Sequence, residues 1–215
     1  MFLSYLVTTH NETDCLDTLL SKLISFKKDN HEVVLLDDYS DNPTTISIIE
    51  KYKSSINFQQ KKLQNDYGAH KNYGIGLCKG EWIFQIDADE LPTDVLLENI
   101  DVLLQSNANN EALWLPRLNY FVGVTQTDIQ MWGWNYHDGM INFPDYQSRL
   151  YKNLPHIRYE RRLHEKVEGY TSYAFIPAQK DIALIHNKTI EKQRETNMKY
   201  NKNFNLDENK GYAVK

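Results

Sequence analysis

Over its first half the chain alternates short apolar runs with amphipathic segments, and no other feature narrows the available folds as far. MFLSYLVTT at 1–9, EVVLLDD at 32–38 and EWIFQI at 81–86 are apolar runs of strand length, and a shorter strand is expected near 56–60. Between them, CLDTLLSKLISF sets Leu16, Leu19, Leu20, Leu23 and Ile24 at helical spacing. Asn11 or Thr13 can cap that helix, Pro43 suits the first position of the next, and GAHKNYGIGLCKG reads as a third helix closing on Gly80. LPTDVLLENIDVLLQ repeats the pattern with a Thr93 cap and apolar Leu96, Leu97, Ile100, Leu103 and Leu104. Fully apolar strands separated by helices predict an α/β fold, a mostly parallel sheet covered on both faces, with ligands beyond the carboxyl ends of its strands.

Three polar clusters follow such strand ends: residues 8–12, 37–41 and 87–90. They are therefore expected at one edge of the sheet. IFQIDADE packs Asp87, Asp89 and Glu90 together, and carboxylates so close repel one another and resist desolvation, so a cation is expected among them unless water screens them. If the strand stays extended, Asp87 and Asp89 point the same way, and oxygen ligands of this kind suit Mg²⁺ or Mn²⁺ carrying a substrate phosphate. The competing reading is a solvated acidic loop. GIGLCKG is not a dinucleotide fingerprint, because its glycines precede the strand instead of following one, and there is no Walker lysine loop.

From about residue 111 the pattern changes. ALWLPRLNYFVG is strand-like, MWGWNYHDGMINFPDY is aromatic and aperiodic, and short strands are expected at 147–151, 157–159 and 182–185. A polar helix should begin at Thr189 and fray beyond Phe204. This divides the chain into a strand–helix half at 1–110, a less regular half of the same domain at 111–188, and a C-terminal helix and tail at 189–215. The first 110 residues carry 9 Lys+Arg against 17 Asp+Glu and the rest 15 against 12, a split suited to a metal in one half and an anionic partner facing the other. It is too small to indicate nucleic-acid binding. The seven apolar residues at the start lack a basic leader and fit neither a signal peptide nor a spanning helix, and the two cysteines, Cys15 and Cys78, are expected as free thiols in a reducing cytoplasm.

The set formed by THNE after strand one, VVLLDDYSD, HKNYGIGLCKGEW and DAD, in that order over residues 2–90, resembles family 2 glycosyltransferases of the GT-A fold. The resemblance implies a Rossmann-like sheet with a smaller mixed acceptor-side region, and transfer of a sugar from a nucleotide-sugar. By it, Thr8, His10, Glu12 and Asp38 line the nucleotide pocket, with Asp38 reading the base, Asp87 near the ribose and Asp89 holding Mn²⁺ or Mg²⁺ on the diphosphate. Lys71 would meet a phosphate where many relatives have Arg, and Tyr39 stands where many have Gly. The alternatives from the residues alone are a turn cap for Asp38 and a solvated helix lysine for Lys71.

RLYKNLPHIRYERRLHEKVEG and DIALIHNK look like the C-terminal part of a bacterial subgroup that includes lipopolysaccharide-core glucosyltransferases. That likeness implies Glu165 as catalytic base and His186 as metal ligand. His164 is the rival ligand, and Asp138 and Asp145 are reserve bases. Glu165 could instead pair with Arg161, Arg162 or Lys166. Trp132, Trp134 and Tyr136 offer ring faces to an acceptor sugar, although Trp132 and Trp134 also have the period of a strand face, and His164 joins the acceptor set. RYERRLHEK would attract a phosphorylated glycan or lipid, or be a solvated basic turn.

The expectation is a metal-dependent inverting hexosyltransferase using a UDP-sugar and a hydroxyl on a cell-surface glycan or glycolipid. A cytoplasmic location is expected, with peripheral association at the inner face of the membrane open. No nucleic-acid partner is expected, while a protein side chain or hydroxylated DNA base stays open as acceptor. A sugar nucleotidyltransferase and a noncatalytic carbohydrate-binding domain are the rivals.

Overall fold

Continuous apolar runs go to the middle of the sheet because both faces there are covered. In the computed structural model, which describes residues 1–205, 207 and 208, β1 (Leu3–Thr9) is such a strand. Leu3, Tyr5 and Val7 face one way, into a core with Leu16, Leu19, Leu20 and Leu23 of α1 (Leu16–Phe26), while Leu6 faces the other with Ile75. Next come β2 (His31–Asp37), α2 (Pro43–Tyr52), β3 (Asn57–Gln60), α3 (Tyr67–Ile75) and β4 (Trp82–Asp87). β5 (Glu90–Pro92), α4 (Asp94–Glu98) and α5 (Ile100–Ser106) end the first half.

The second half holds β6 (Ala112–Leu115), β7 (Arg117–Val122), α6 (Gln126–Trp132), β8 (Tyr136–His137), β9 (Met140–Ile141), β10 (Gln147–Lys152), β11 (Arg158–Glu160), β12 (Lys166–Glu168), β13 (Tyr173–Phe175), β14 (Leu184–Thr189) and α7 (Ile190–Asn203). The main sheet has seven strands in the order β13-β6-β10-β4-β1-β2-β3, with the β1, β2, β3 and β4 pairs parallel and β10 antiparallel to both β4 and β6. A five-stranded sheet, β5-β14-β7-β9-β8, stands beside the carboxyl end of β4, and β11 pairs with β12. Among the described residues no helix is long and apolar enough to cross a membrane.

Several local expectations change. Neither Asn11 nor Thr13 caps α1: Glu12 Oε1 accepts the N–H groups of Asp14 and Cys15 at 3.0 and 3.2 Å. The third helix ends at Ile75 with Gly76 behind it, and Gly80 instead packs so close to β1 that a Cβ would lie 2.6 Å from the Ser4 nitrogen. The helix at 94–106 breaks at Asn99, and Thr93 donates its hydroxyl to the Asp181 carbonyl instead of capping. Pro116 divides the run at 112–122 into β6 and β7, which belong to different sheets. Trp132 and Trp134 share no strand face, since Trp132 ends α6 and left-handed Gly133 (φ 64°) separates them. Within the expected tail at 189–215, residues 206 and 209–215 lie outside the described residues.

Candidate functional site

Parallel pairing places the polar clusters together. Thr9 is level with Asp37 and Thr8 with Asp87, so the segments after β1, β2 and β4 leave the sheet side by side. They floor a cleft of about 260 Å³ lined by Thr8, His10, Glu12, Asp38, Lys71, Asp87, Asp89 and Glu165. Tyr67, His70, Lys199 and Tyr200 complete its walls, the last two from α7.

The cations expected among the acids belong, in part, to the protein itself. Asp87 receives Lys71 Nζ at 2.9 Å on Oδ1 and Arg149 Nη2 at 2.5 Å on Oδ2. Glu90, fully buried, receives Arg149 at 2.6 Å and Arg117 at 2.9 Å, and also accepts the Asp87 N–H. Arg117 continues to Asp145 at 2.7 Å. Burial opposes ionisation of Asp87, but Arg149 and Lys71 outweigh it and hold the carboxyl well below the usual carboxylate range. Burial likewise opposes the charge on Lys71, and Asp87 and Glu165 restore it, keeping its pKa above the ordinary value. Lys71 is thus no solvated helix lysine.

Asp89 has a different environment, because the strand ends at Asp87 and a turn at 88–89 separates the two acids. Its Oδ2 lies 3.4 Å from His186 Nε2. Asn119 Nδ2 donates to Asp145 at 2.7 Å and to the Ile141 carbonyl at 3.2 Å, which turns Asn119 Oδ1 toward His186 Nδ1 at 3.0 Å. Nδ1 must then carry the proton, and in the neutral ring Nε2 presents a lone pair to the carboxylate. Two facing acceptors need a proton or a cation between them. Desolvation opposes the charge on Asp89, and a positive charge at His186 Nε2 overrides it and lowers the pKa.

Glu165 meets none of Arg161, Arg162 or Lys166. It pairs with Lys71 at 2.7 Å, its side chain 14% exposed. Two contacts create that approach: the amide and carbonyl of Tyr159 bond the Asn72 side chain at 2.8 Å each, and Gly68 lies where a Cβ would be 2.4 Å from the Arg161 carbonyl oxygen. Asp145 is spent on Arg117, Asn119 and Gln147, and exposed Asp138 pairs with Lys180 at the β8–β9 turn, so neither is poised as a base.

In the nucleoside region Asp38 Oδ1 accepts the Leu63 N–H at 2.8 Å while His10 Nδ1 meets the Asp38 carbonyl at 2.8 Å, leaving Asp38 Oδ2 toward the cleft side of His10 at 3.7 Å. Glu12 lines the cleft, but one oxygen holds the turn before α1 and the other takes Lys192 at 2.8 Å, a structural task. Tyr39 has φ 46°, the left-handed conformation that explains a glycine preference there. His164 packs edge-on against Tyr200 at 5.8 Å, so His186 alone of the two faces Asp89. The Trp132 and Trp134 rings, 4.4 Å apart, continue through Phe121 to His186, with centroids 5.2 and 5.9 Å apart at the last two steps. Arg161, Arg162 and Lys166 are exposed.

Sequence reasoning missed Arg149 and Arg117. Nothing local marks them: QSRLYK is a mostly polar strand, and Arg149 is buried only because β10 pairs with β4 and brings it to Asp87 and Glu90.

The S. aureus protein TarS 1–349 in complex with UDP-GlcNAc superposes with a TM-score of 0.62 at 20% identity, over 87% of this chain and 59% of TarS 1–349, which establishes a common fold. By sequence, the poly(ribitol-phosphate) beta-N-acetylglucosaminyltransferase TarP of Staphylococcus aureus (strain N315) is 31% identical over 101 residues, 45% of this chain and 31% of TarP. The glycosyltransferase SunS of Bacillus subtilis (strain 168) is 32% identical over 85 residues, 40% of this chain and 19% of SunS. The chain therefore spans less than a third of the length of either relative in alignment. The model of glycosyl transferase family 2 matches residues 4–170, which include β1, both acids of DAD and Glu165; the chain belongs to that family.

Proposed function

We propose that the chain transfers a hexose from a UDP-sugar to a hydroxyl of a cell-surface glycan, with inversion at the anomeric carbon. The observation that carries this reading is the convergence of Asp38, Asp89 and Glu165 on one strand-end cleft, with His186 against Asp89, in a chain of this family. The UDP-GlcNAc complex of TarS supports UDP as the donor nucleotide, and the names of TarP and TarS support a surface polymer as acceptor. A cytoplasmic setting, at the inner face of the membrane, belongs to the same proposal.

Asp38 takes the base, through the oxygen not spent on Leu63. Asp89 and His186 would hold Mn²⁺ or Mg²⁺. One carboxylate and one imidazole with its second nitrogen fixed by Asn119 are donors that suit such an ion. Bound there, the ion offsets charge on the departing diphosphate. The acceptor oxygen attacks the anomeric carbon from the opposite face, the carbon–oxygen bond to phosphate breaks with its electron pair on the phosphate, and Glu165 takes the hydroxyl proton. Lys71 orients that carboxylate. A nucleotidyltransferase would need a basic glycine-rich loop after β1, where this chain has His10, Asn11 and Glu12.

The test is thermal unfolding with UDP, GDP, CDP and ADP, each with and without Mn²⁺. UDP at a hundred times its dissociation constant should add about 2.7 kcal/mol, a shift of a few degrees that needs Mn²⁺ and vanishes in Asp89→Ala. No metal-dependent shift with any nucleotide would favour the noncatalytic carbohydrate-binding reading.

A further inference from the structure

A second cavity, of about 280 Å³, adjoins the cleft across Asp89 and Glu12. Leu91, Val122 and Ile185 form apolar wall, and its cations are Lys188 and Lys192. Lys192 is committed to Glu12. Lys188, half-buried near the end of β14, makes no hydrogen bond or ion pair among the described residues. An ammonium kept partly from water without a partner is costly, and an anionic ligand would remove that cost.

The strand sets where such a ligand lies. Lys188 follows His186 by two residues, so both side chains leave the same face of β14, ~7 Å apart along the strand, a span that a lysine side chain covers. His186 faces Asp89, the residue common to both cavities. Glu165 lies in the first cleft only. Inversion requires acceptor and base on one side of the anomeric carbon and the diphosphate on the other. Asp89, proposed above to hold the ion on the diphosphate, lines both cavities, so Lys188 approaches the diphosphate end of the cleft from the side away from Glu165.

Resting on the glycosyl-transfer reading above, we infer that Lys188 binds the donor diphosphate, its ammonium on a phosphate oxygen at the Asp89–His186 end, and stabilises the charge that grows there as the sugar departs. Nothing in the sequence marked this lysine, because its role depends on the strand register that places it one step beyond His186.

Binding of UDP, UMP and uridine to the full chain, Lys188→Met and Lys188→Arg by calorimetry, in Mn²⁺ and in EDTA, tests the assignment. Lys188→Met should weaken UDP roughly ten- to hundredfold, leave uridine within about twofold, and be largely rescued by Lys188→Arg. Unchanged UDP affinity beside intact uridine binding overturns the role of Lys188 and leaves glycosyl transfer standing. Parallel loss of UDP and uridine, without rescue by Lys188→Arg, also overturns it, since the substitution then acts on the cleft as a whole. A wild-type chain that binds neither UDP nor uridine sinks both readings.

Discussion

At the scale of single residues, the centre of the site is a chain of alternating charge: Glu165, Lys71, Asp87, Arg149, Glu90, Arg117, Asp145. Arg149 is its keystone because it joins the buried Glu90 to the half-buried Asp87 and is itself 8% exposed. Arg149→Met should cost about 3–5 kcal/mol in urea unfolding, since removing one partner strands the other charges, and adding Glu90→Gln should return part of that loss. Glu165 lies at the open end of the chain. Glu165→Gln keeps the acceptor oxygen for Lys71 but cannot take a proton, so UDP release in turnover should fall roughly 10²–10⁴-fold with UDP affinity and melting temperature retained. A Glu165 that only braced Lys71 would instead lose melting temperature and affinity along with turnover. Asp89 stood out in the sequence because acids end an apolar run there, whereas Asp38 and Glu165 were singled out only by the likeness to family 2 glycosyltransferases. Arg149 could not be connected to Asp87, 62 positions away, until the strand pairing brought them together.

At the scale of elements, α7 does more than a polar tail would. It supplies Lys199 and Tyr200 to the cleft and is tied down at its start by Lys192 on Glu12 and by Arg194 on Asp128 of α6 at 2.6 Å. Asp128 is also the acid of the α6 capping box, and its bonds from Thr125 and Arg194 hold its carboxyl at about 2. Its folded pKa lies below the unfolded value, so the unfolded chain takes up the proton first. The stability Asp128 contributes is whole above about pH 4 and is lost as pH falls toward 2. The gap in urea midpoint between wild type and Asp128→Asn should therefore be constant at neutral pH and close between about pH 4 and pH 2. A gap that stayed constant into acid would show that the carboxylate is not what anchors α7. This anchoring is not legible in the sequence. Arg194 and Asp128 are 66 positions apart, and helix polarity does not say which surface a helix covers. Pro116, by contrast, was a legible break within a strand-like run.

At the scale of the molecule, the alternation of strands and helices specified the α/β class and the edge where the polar clusters meet, because both follow from local pattern and the handedness of parallel crossovers. It could not specify how the second half joins the first. That join is made by β10, which enters the main sheet between β4 and β6, and by β14, which enters the other sheet between β5 and β7. Each sheet therefore contains strands from both sides of residue 110. Arg149, carried on β10, finds its partners Asp87 and Glu90 on the first-half side. Neither half can leave without breaking the β4–β10 ladder and exposing that ion network. The chain should thus unfold in one cooperative step, without a populated state in which residues 1–110 alone are folded. Trp82 lies buried in β4, whereas Trp114, Trp132 and Trp134 report on the second half. Variants keeping Trp82 alone and Trp114 alone should give coincident urea midpoints, equal to that from far-UV circular dichroism. Separated midpoints would mean that the β10 insertion does not couple the halves.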